Sequence, residues 1–485
     1  MLKEKTAKGL FWGSISNISQ QIIQLFFGIA MSRILFPDDF GLVGMLLIFS
    51  TLASTMQESG FSYALINKKD SSNIDFSSVF WVNMIISVTL YVLLFLFSPL
   101  IAAYFDQPKL ISLSKVVFLA FVFSGLGLVP NAILTKNIDL KSLAFVNIYS
   151  VLFSCVLGLL FALLGYTHWA IALQMVSLSL FKTFFLYVKC AWRPSFLFNF
   201  TSIKNMFSFS IKILLSNIIN TISTGVYSVI LGRYYDENQV GYYTQANKWY
   251  IIPFSIVYGI VNTTFYPVLA AVNNEPERQY QIFRKMLRFT SFISFPLIFG
   301  FAFVAPELIP ILVTDKWNAS VPIIQILCIW GMFMPIQGLY FNIFMSKGYS
   351  NICLLLQAIS GIILICSLLL TIQYGIIVML LLNLIINIFS QLLASIMITK
   401  RLFNFKIFNF LKDIFPFLFL VIIIFLNVHF ITINFENIYV ILCLKISISV
   451  VLYVLVMKFL NITIFREAMA FVTHIFKSEI SKIKH

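Results

Sequence analysis

Ser14–Gln24 reads SISNISQQIIQ, a run of amides and hydroxyls inside a segment whose length and apolar flanks otherwise spell a membrane span. A spanning helix needs about 20 mostly apolar residues. Polar side chains within one are costly unless they face protein or water. At about 100° per residue, Ser14, Asn17, Gln20, Gln21, Gln24 and Gly28 share one arc of about 120°. Ile15, Ile18, Ile22 and Leu25 lie largely outside it. The amides therefore form a stripe along one face of a helix.

The stripe returns 200 residues later. Asn17, Gln20, Gln21, Gln24 and Gly28 align without gaps on Asn217, Asn220, Thr221, Thr224 and Ser228. Arg33 meets Arg233, and Gly41 meets Gly241. Such a repeat predicts two halves built alike. Polar stripes also hold helices together inside a bundle. Two of them at equivalent positions favour the walls of a hydrated cavity.

The composition agrees with a membrane class. Of 485 residues, 60% are hydrophobic and 11% charged, where a soluble domain keeps about a quarter charged. We place fourteen spans, roughly at 9–35, 40–59, 76–104, 110–134, 142–165, 167–189, 205–234, 246–272, 286–313, 320–346, 350–373, 375–399, 413–433 and 437–457. The basic start shows no cleavage signal, and the first apolar segment is read as a retained span. With the N-terminus inside, 24 Lys and Arg fall in inner loops and tails and 4 (Arg33, Lys109, Arg233, Lys316) outside. This asymmetry is the positive-inside rule for an N-in, C-in chain. It accounts for the net charge of +15 without nucleic acid.

Six spans separate the two stripes, so the repeat is parallel, a known transporter plan. The expected layout is an N-lobe over 1–200 (spans 1–6) and a C-lobe over 201–405 (spans 7–12). Spans 13–14 occupy 406–460, and 461–485 form a basic amphipathic tail on the inner leaflet. The fold class is an all-α polytopic membrane protein.

Charged residues in the spans give the next clue. Arg33 and Arg233 sit near outer span ends, about 160° from the stripe. Snorkelling, or pairing with Asp38, Asp39, Asp236 or Glu237, explains them about as well as substrate contact. Lys115, Lys212, Lys248 and Lys445 are either interface anchors or contacts for an anionic substrate. Glu58, at the inner end of span 2, is the residue marked for coupling. The six cysteines and four histidines form no ligand cluster. No nucleophile elbow, zinc-binding H-E-x-x-H or phosphate loop occurs. The expectation is a transporter, with no enzyme activity, metal or cofactor.

Several segments carry a resemblance. SRILFPDDFGLVGM (32–45) resembles the R-x-L-x-P-[DE]-[DE]-[FY]-G segment of bacterial polysaccharide exporters, the Wzx-type oligosaccharide flippases. ESGFSYALINKKD, FSSVFWVN, LIAAYFDQPKL, GRYYDENQVGYYTQANKW, FYPVLAAV and TDKWNASVPIIQIL extend the similarity over about residues 5–345. The branch it resembles most is that of colanic- and teichuronic-acid exporters. The resemblance implies the fold of multidrug-and-toxin extruders (MATE-like), with two six-helix lobes around a central cavity and two extra C-terminal helices. It also implies the cargo, an oligosaccharide repeat unit on undecaprenyl diphosphate, moved from the inner to the outer leaflet for O-antigen, capsule or exopolysaccharide synthesis. The location implied is the bacterial cytoplasmic membrane. Membrane lipids, a polymerase and a chain-length regulator are the implied partners. Only Arg33 and Glu58 carry over from the family's motifs. The substrate path expected from the residues runs along Asn17, Gln20, Gln21, Gln24, Asn217, Asn220, Thr221 and Thr224, with Arg33, Arg233 and Lys248 as its charges. A drug or cation extruder of the same fold is the alternative.

Overall fold

A backbone in lipid must satisfy its own N–H and C=O groups, so these apolar stretches can span only as helices or a closed barrel. In the computed structural model every regular element among the described residues is a helix. The structure describes residues 2–58, 61–68, 71–200, 225–347, 349–403 and 407–467, with 203, 214, 217, 218, 221 and 469. Asn220, Thr224 and Lys212 lie outside them, as does nearly all of the expected tail beyond Glu467.

The chain divides into two compact units, 1–244 and 245–485. In the first, α1 (Leu2–Ile34) and α2 (Pro37–Glu58) are followed by the short α3 (Phe61–Asn67). Then come α4 (Asn73–Leu96), α5 (Ser98–Phe105), α6 (Lys109–Val117) and α7 (Leu119–Lys136), with α8 (Leu140–Leu163) and α9 (Thr167–Lys189) after them. Helix α1 packs on α8, and α9 packs on both α7 and α8. Gly158 of α8 makes this possible: a Cβ there would press on Gln174 and Phe27. The unit boundary falls within α10 (Glu237–Ala271).

The second unit continues with α11 (Pro276–Ser294), a π-turn at Phe295–Phe299 and α12 (Gly300–Val313). Pro296 removes a donor at that turn, a common cause of such bulges. Helices α13 (Val321–Gly331), α14 (Met334–Ser346), α15 (Ser350–Thr371), α16 (Ile376–Phe403), α17 (Ile407–Thr432) and α18 (Ile438–Phe459) complete it. Ten helical segments among the described residues are long and apolar enough to cross a membrane. Helices α1 and α10, richer in polar residues, are not among the ten. The protein is therefore an all-α multi-pass membrane protein.

One segment departs from its expected form. The stretch left between the expected spans 246–272 and 286–313 forms the first half of α11. Phe283, Met286, Leu287 and Thr290 are buried along one face of it.

Candidate functional site

Pro37 sits at the first position of α2, where its missing N–H is harmless, and Asp38 and Asp39 occupy the first turn. The Asp39 carboxylate accepts a hydrogen bond from the Phe36 amide at 3.1 Å. Helix α10 starts in a related way, with Asp236 accepting from the Gln239 amide at 2.9 Å. The two starts then meet. A Cβ added at Gly41 would overlap the carbonyl oxygen of Glu237, and one at Gly241 would overlap the carbonyl oxygen of Pro37. A Cβ at Gly44 would come within 2.6 Å of the Thr244 hydroxyl. Residues 37, 41 and 44 stand 200 positions before 237, 241 and 244. The contact is thus reciprocal, as across a two-fold axis, and it relates the two copies found in the sequence. Only glycine lets two helix backbones come this close.

Neighbouring polar groups tie the same region. Gln107 donates to the Glu237 carboxylate at 2.8 Å. Arg233 donates to the Tyr104 carbonyl at 2.6 Å and lies over the Tyr104 ring. Thr55 and Thr221 share a hydrogen bond of 3.0 Å. Arg233, expected on the substrate path, is thus engaged with α5, and Thr221 with α2.

The first stripe divides. Gln20 folds back on Ser16, donating to its carbonyl at 3.1 Å and its hydroxyl at 3.0 Å. Asn17, Gln21 and Gln24 are exposed on α1, which packs against α8. Ile18, Ile22 and Phe26 are exposed on a different face. Arg33 is exposed, as are Asn217 and Lys248. Glu58 is the last residue of α2, and its side chain lies outside the described residues.

A site that sequence reasoning missed lies inside the first unit. A cavity of about 530 Å³ opens between α2, α3, α7 and α9. Buried Gln57 braces one wall. Its amide donates to the Ser87 hydroxyl at 2.7 Å and the Phe121 carbonyl at 2.8 Å, and it accepts from Ser124 at 2.6 Å. Thr183 donates to the Phe123 carbonyl at 2.6 Å. Replacing Gln57 with leucine strands these buried groups, at a cost of about 1–3 kcal/mol. The expected result is a lower unfolding midpoint in detergent, with asparagine at the same position only partly restoring it. Ser54, Ser62, Asn131, Ser179 and Lys182 also line the cavity. No carboxylate is among its lining residues.

Comparison with known proteins places this architecture. Residues 30–322, more than half of the chain, match the polysaccharide biosynthesis protein family. The chain belongs to that family. The match takes in the cavity and the reciprocal glycines. Similar relatives include the lipopolysaccharide biosynthesis protein WzxC of Escherichia coli, 26% identical over 72% of each chain. The teichuronic acid biosynthesis protein TuaB of Bacillus subtilis is 24% identical over 72% of this chain and 73% of its own. Among solved structures, the lipid II flippase MurJ in an inward closed conformation matches with a TM-score of 0.74 at 17% identity, over 93% of this chain and 99% of that one. An inward-facing MATE multidrug transporter matches with a TM-score of 0.62 at 15% identity, over 78% and 94%. The fold is the MATE-like one that the resemblance implied.

Proposed function

We propose that the chain is a flippase, not an enzyme. It would carry undecaprenyl-diphosphate-linked oligosaccharide repeat units from the inner to the outer leaflet of the bacterial cytoplasmic membrane. A diphosphate and several sugars cannot cross hydrocarbon unaided, since a bare charge there costs tens of kcal/mol by Born estimates. A flippase offers the head group a polar path while the prenyl tail stays in lipid. The observation that carries the reading is the reciprocal contact at Gly41 and Gly241. It joins the two repeat copies at span ends that the charge count puts on the outer side. Contact through backbone over about one turn gives alternating access an outer seal that can part. The names of the relatives, which place WzxC and TuaB in polysaccharide biosynthesis, support the cargo class.

The exposed amides of α1 are the proposed wall for sugar hydroxyls, since each amide offers both donors and an acceptor. Replacing Asn17, Gln21 and Gln24 together with leucine should abolish surface polysaccharide while the protein stays in the membrane fraction. Precursor should accumulate on the inner leaflet. Normal surface polysaccharide from that variant would sink the wall assignment. A cation extruder of the same fold is the second reading, and the cavity disfavours it because its charged lining residue is Lys182.

A further inference from the structure

We propose that the cavity of the first unit binds a phosphate-bearing lipid head group, with Lys182 as its charged contact. The identity of the cargo rests on the flippase reading; the existence of the site does not.

Four other lysines of the described helices are engaged by protein. The Lys115 ammonium sits 4.6 Å from the centre of the Phe95 ring. Lys136 donates to the carbonyls of Leu65 and Lys68 and to the Ser71 hydroxyl. Lys189 lies 4.1 Å from the Phe145 ring centre, and Lys445 is 2.7 Å from Glu307. Lys182 has no such partner among the described residues, yet it lines the cavity, whose largely apolar walls carry several hydroxyls and amides. Ser54, Ser62, Asn131 and Ser179 on the same walls also lack side-chain partners among the described residues. The buried Ser50 hydroxyl, another lining group, is unpartnered too. Ser50 is buried, where a polar side chain nearly always finds a partner, whereas Lys182 is exposed and Ser54, Ser62, Asn131 and Ser179 are half-buried. Here the unused groups converge on one space.

Their chemistry selects an anion rich in acceptor oxygens. An ammonium offers three donors, each hydroxyl one and the Asn131 amide two. Lysine binds phosphate as a point charge. Depth agrees with the assignment. Lys182 precedes Lys189, at the inner end of α9, by seven residues, or about 10 Å of helix. That is within reach of inner-leaflet head groups. The volume lies within the usual range for ligand pockets, about 300–1,000 Å³, and exceeds what a diphosphate alone requires.

The test uses the purified full-length chain and farnesyl diphosphate as probe, with phosphatidylglycerol as a second arm. Farnesyl diphosphate should bind in a salt-sensitive way. Lys182→Gln should weaken binding at least about tenfold, and Lys182→Arg should keep it within about threefold. Asn131→Asp, which adds a negative charge to the wall, should also weaken it. Unchanged affinity in Lys182→Gln or in Asn131→Asp, or no binding by the unmodified chain, overturns the site. Competition by phosphatidylglycerol with the same Lys182 dependence supports the site and assigns its ligand to bulk anionic lipid. Absence of competition assigns it to a prenyl diphosphate. A deletion strain separates this inference from the flippase reading. Intact surface polysaccharide without the chain ends the flippase reading but leaves Lys182-dependent binding standing. Lost polysaccharide in the deletion, with wild-type binding by Lys182→Gln, ends the site alone.

Discussion

Gly41→Val is expected to abolish surface polysaccharide while leaving the protein inserted at near-normal level. The side chain would have to occupy the space of the Glu237 carbonyl, so the starts of α2 and α10 must move apart. Backbone carbonyls cannot swing away as a flexible side chain can. Under the flippase reading the outer seal then fails to close, and the cycle stops with it. Gly241→Val should behave the same way, because its own Cβ would strike the Pro37 carbonyl. Since the two glycines share one contact, the double variant should be no worse than either single one, a marked departure from additivity. Gly259 supplies the control. A Cβ there meets nothing within 4 Å, so Gly259→Val should leave export intact. Staining of surface polysaccharide alongside immunoblots of the membrane fraction reads all four. Wild-type export from Gly41→Val would show that the close approach is dispensable.

That contact shows how much of the molecule could be read beforehand. The apolar runs place the helices, because in lipid a chain has almost no alternative to a helix. The offset between Asn17 and Asn217 correctly pairs Gly41 with Gly241 as equivalents. What an offset cannot give is touch: Gly41 meets Glu237, not its own equivalent, and this depends on how two helices cross. Thr221 illustrates the same limit, since its place in the second stripe says nothing of its bond to Thr55. The cavity left a fainter trace. Ser179, Lys182 and Thr183 stand at i, i+3 and i+4 in α9 and form a polar face in an otherwise apolar span. Asn131 and Thr135 do the same in α7. Neither face has the density of amides that makes Asn17 to Gln24 conspicuous. In α11 the apolar positions Phe283, Met286 and Leu287 have helical spacing, masked by five charged residues within the first thirteen positions.

The second large effect is on stability. The Lys445 ammonium lies 2.7 Å from the Glu307 carboxylate, and the two side chains are 6% and 13% exposed. The same ammonium sits 4.6 Å from the centre of the Phe303 ring. The pair joins α18 to α12 well within two apolar helices. Breaking a buried pair by removing one partner costs about 3–5 kcal/mol, because the other charge is left uncompensated. Lys445→Met should therefore lower the unfolding midpoint in detergent strongly. The other Glu307 oxygen is buried without a partner, so this carboxylate has nothing else to turn to. Glu307→Leu alone strands the ammonium and should also destabilise. The double variant Lys445→Met/Glu307→Leu removes both charges and fills the space with apolar atoms. It should recover most of the lost stability, since apolar replacements of buried pairs are often neutral or better. A double variant no more stable than Lys445→Met would mean that packing on Phe303, not charge, holds the helices. Export then decides what the pair is for. Full export by a stable double variant makes it a tether between α12 and α18, whereas a stable variant that exports nothing makes it part of the transport cycle.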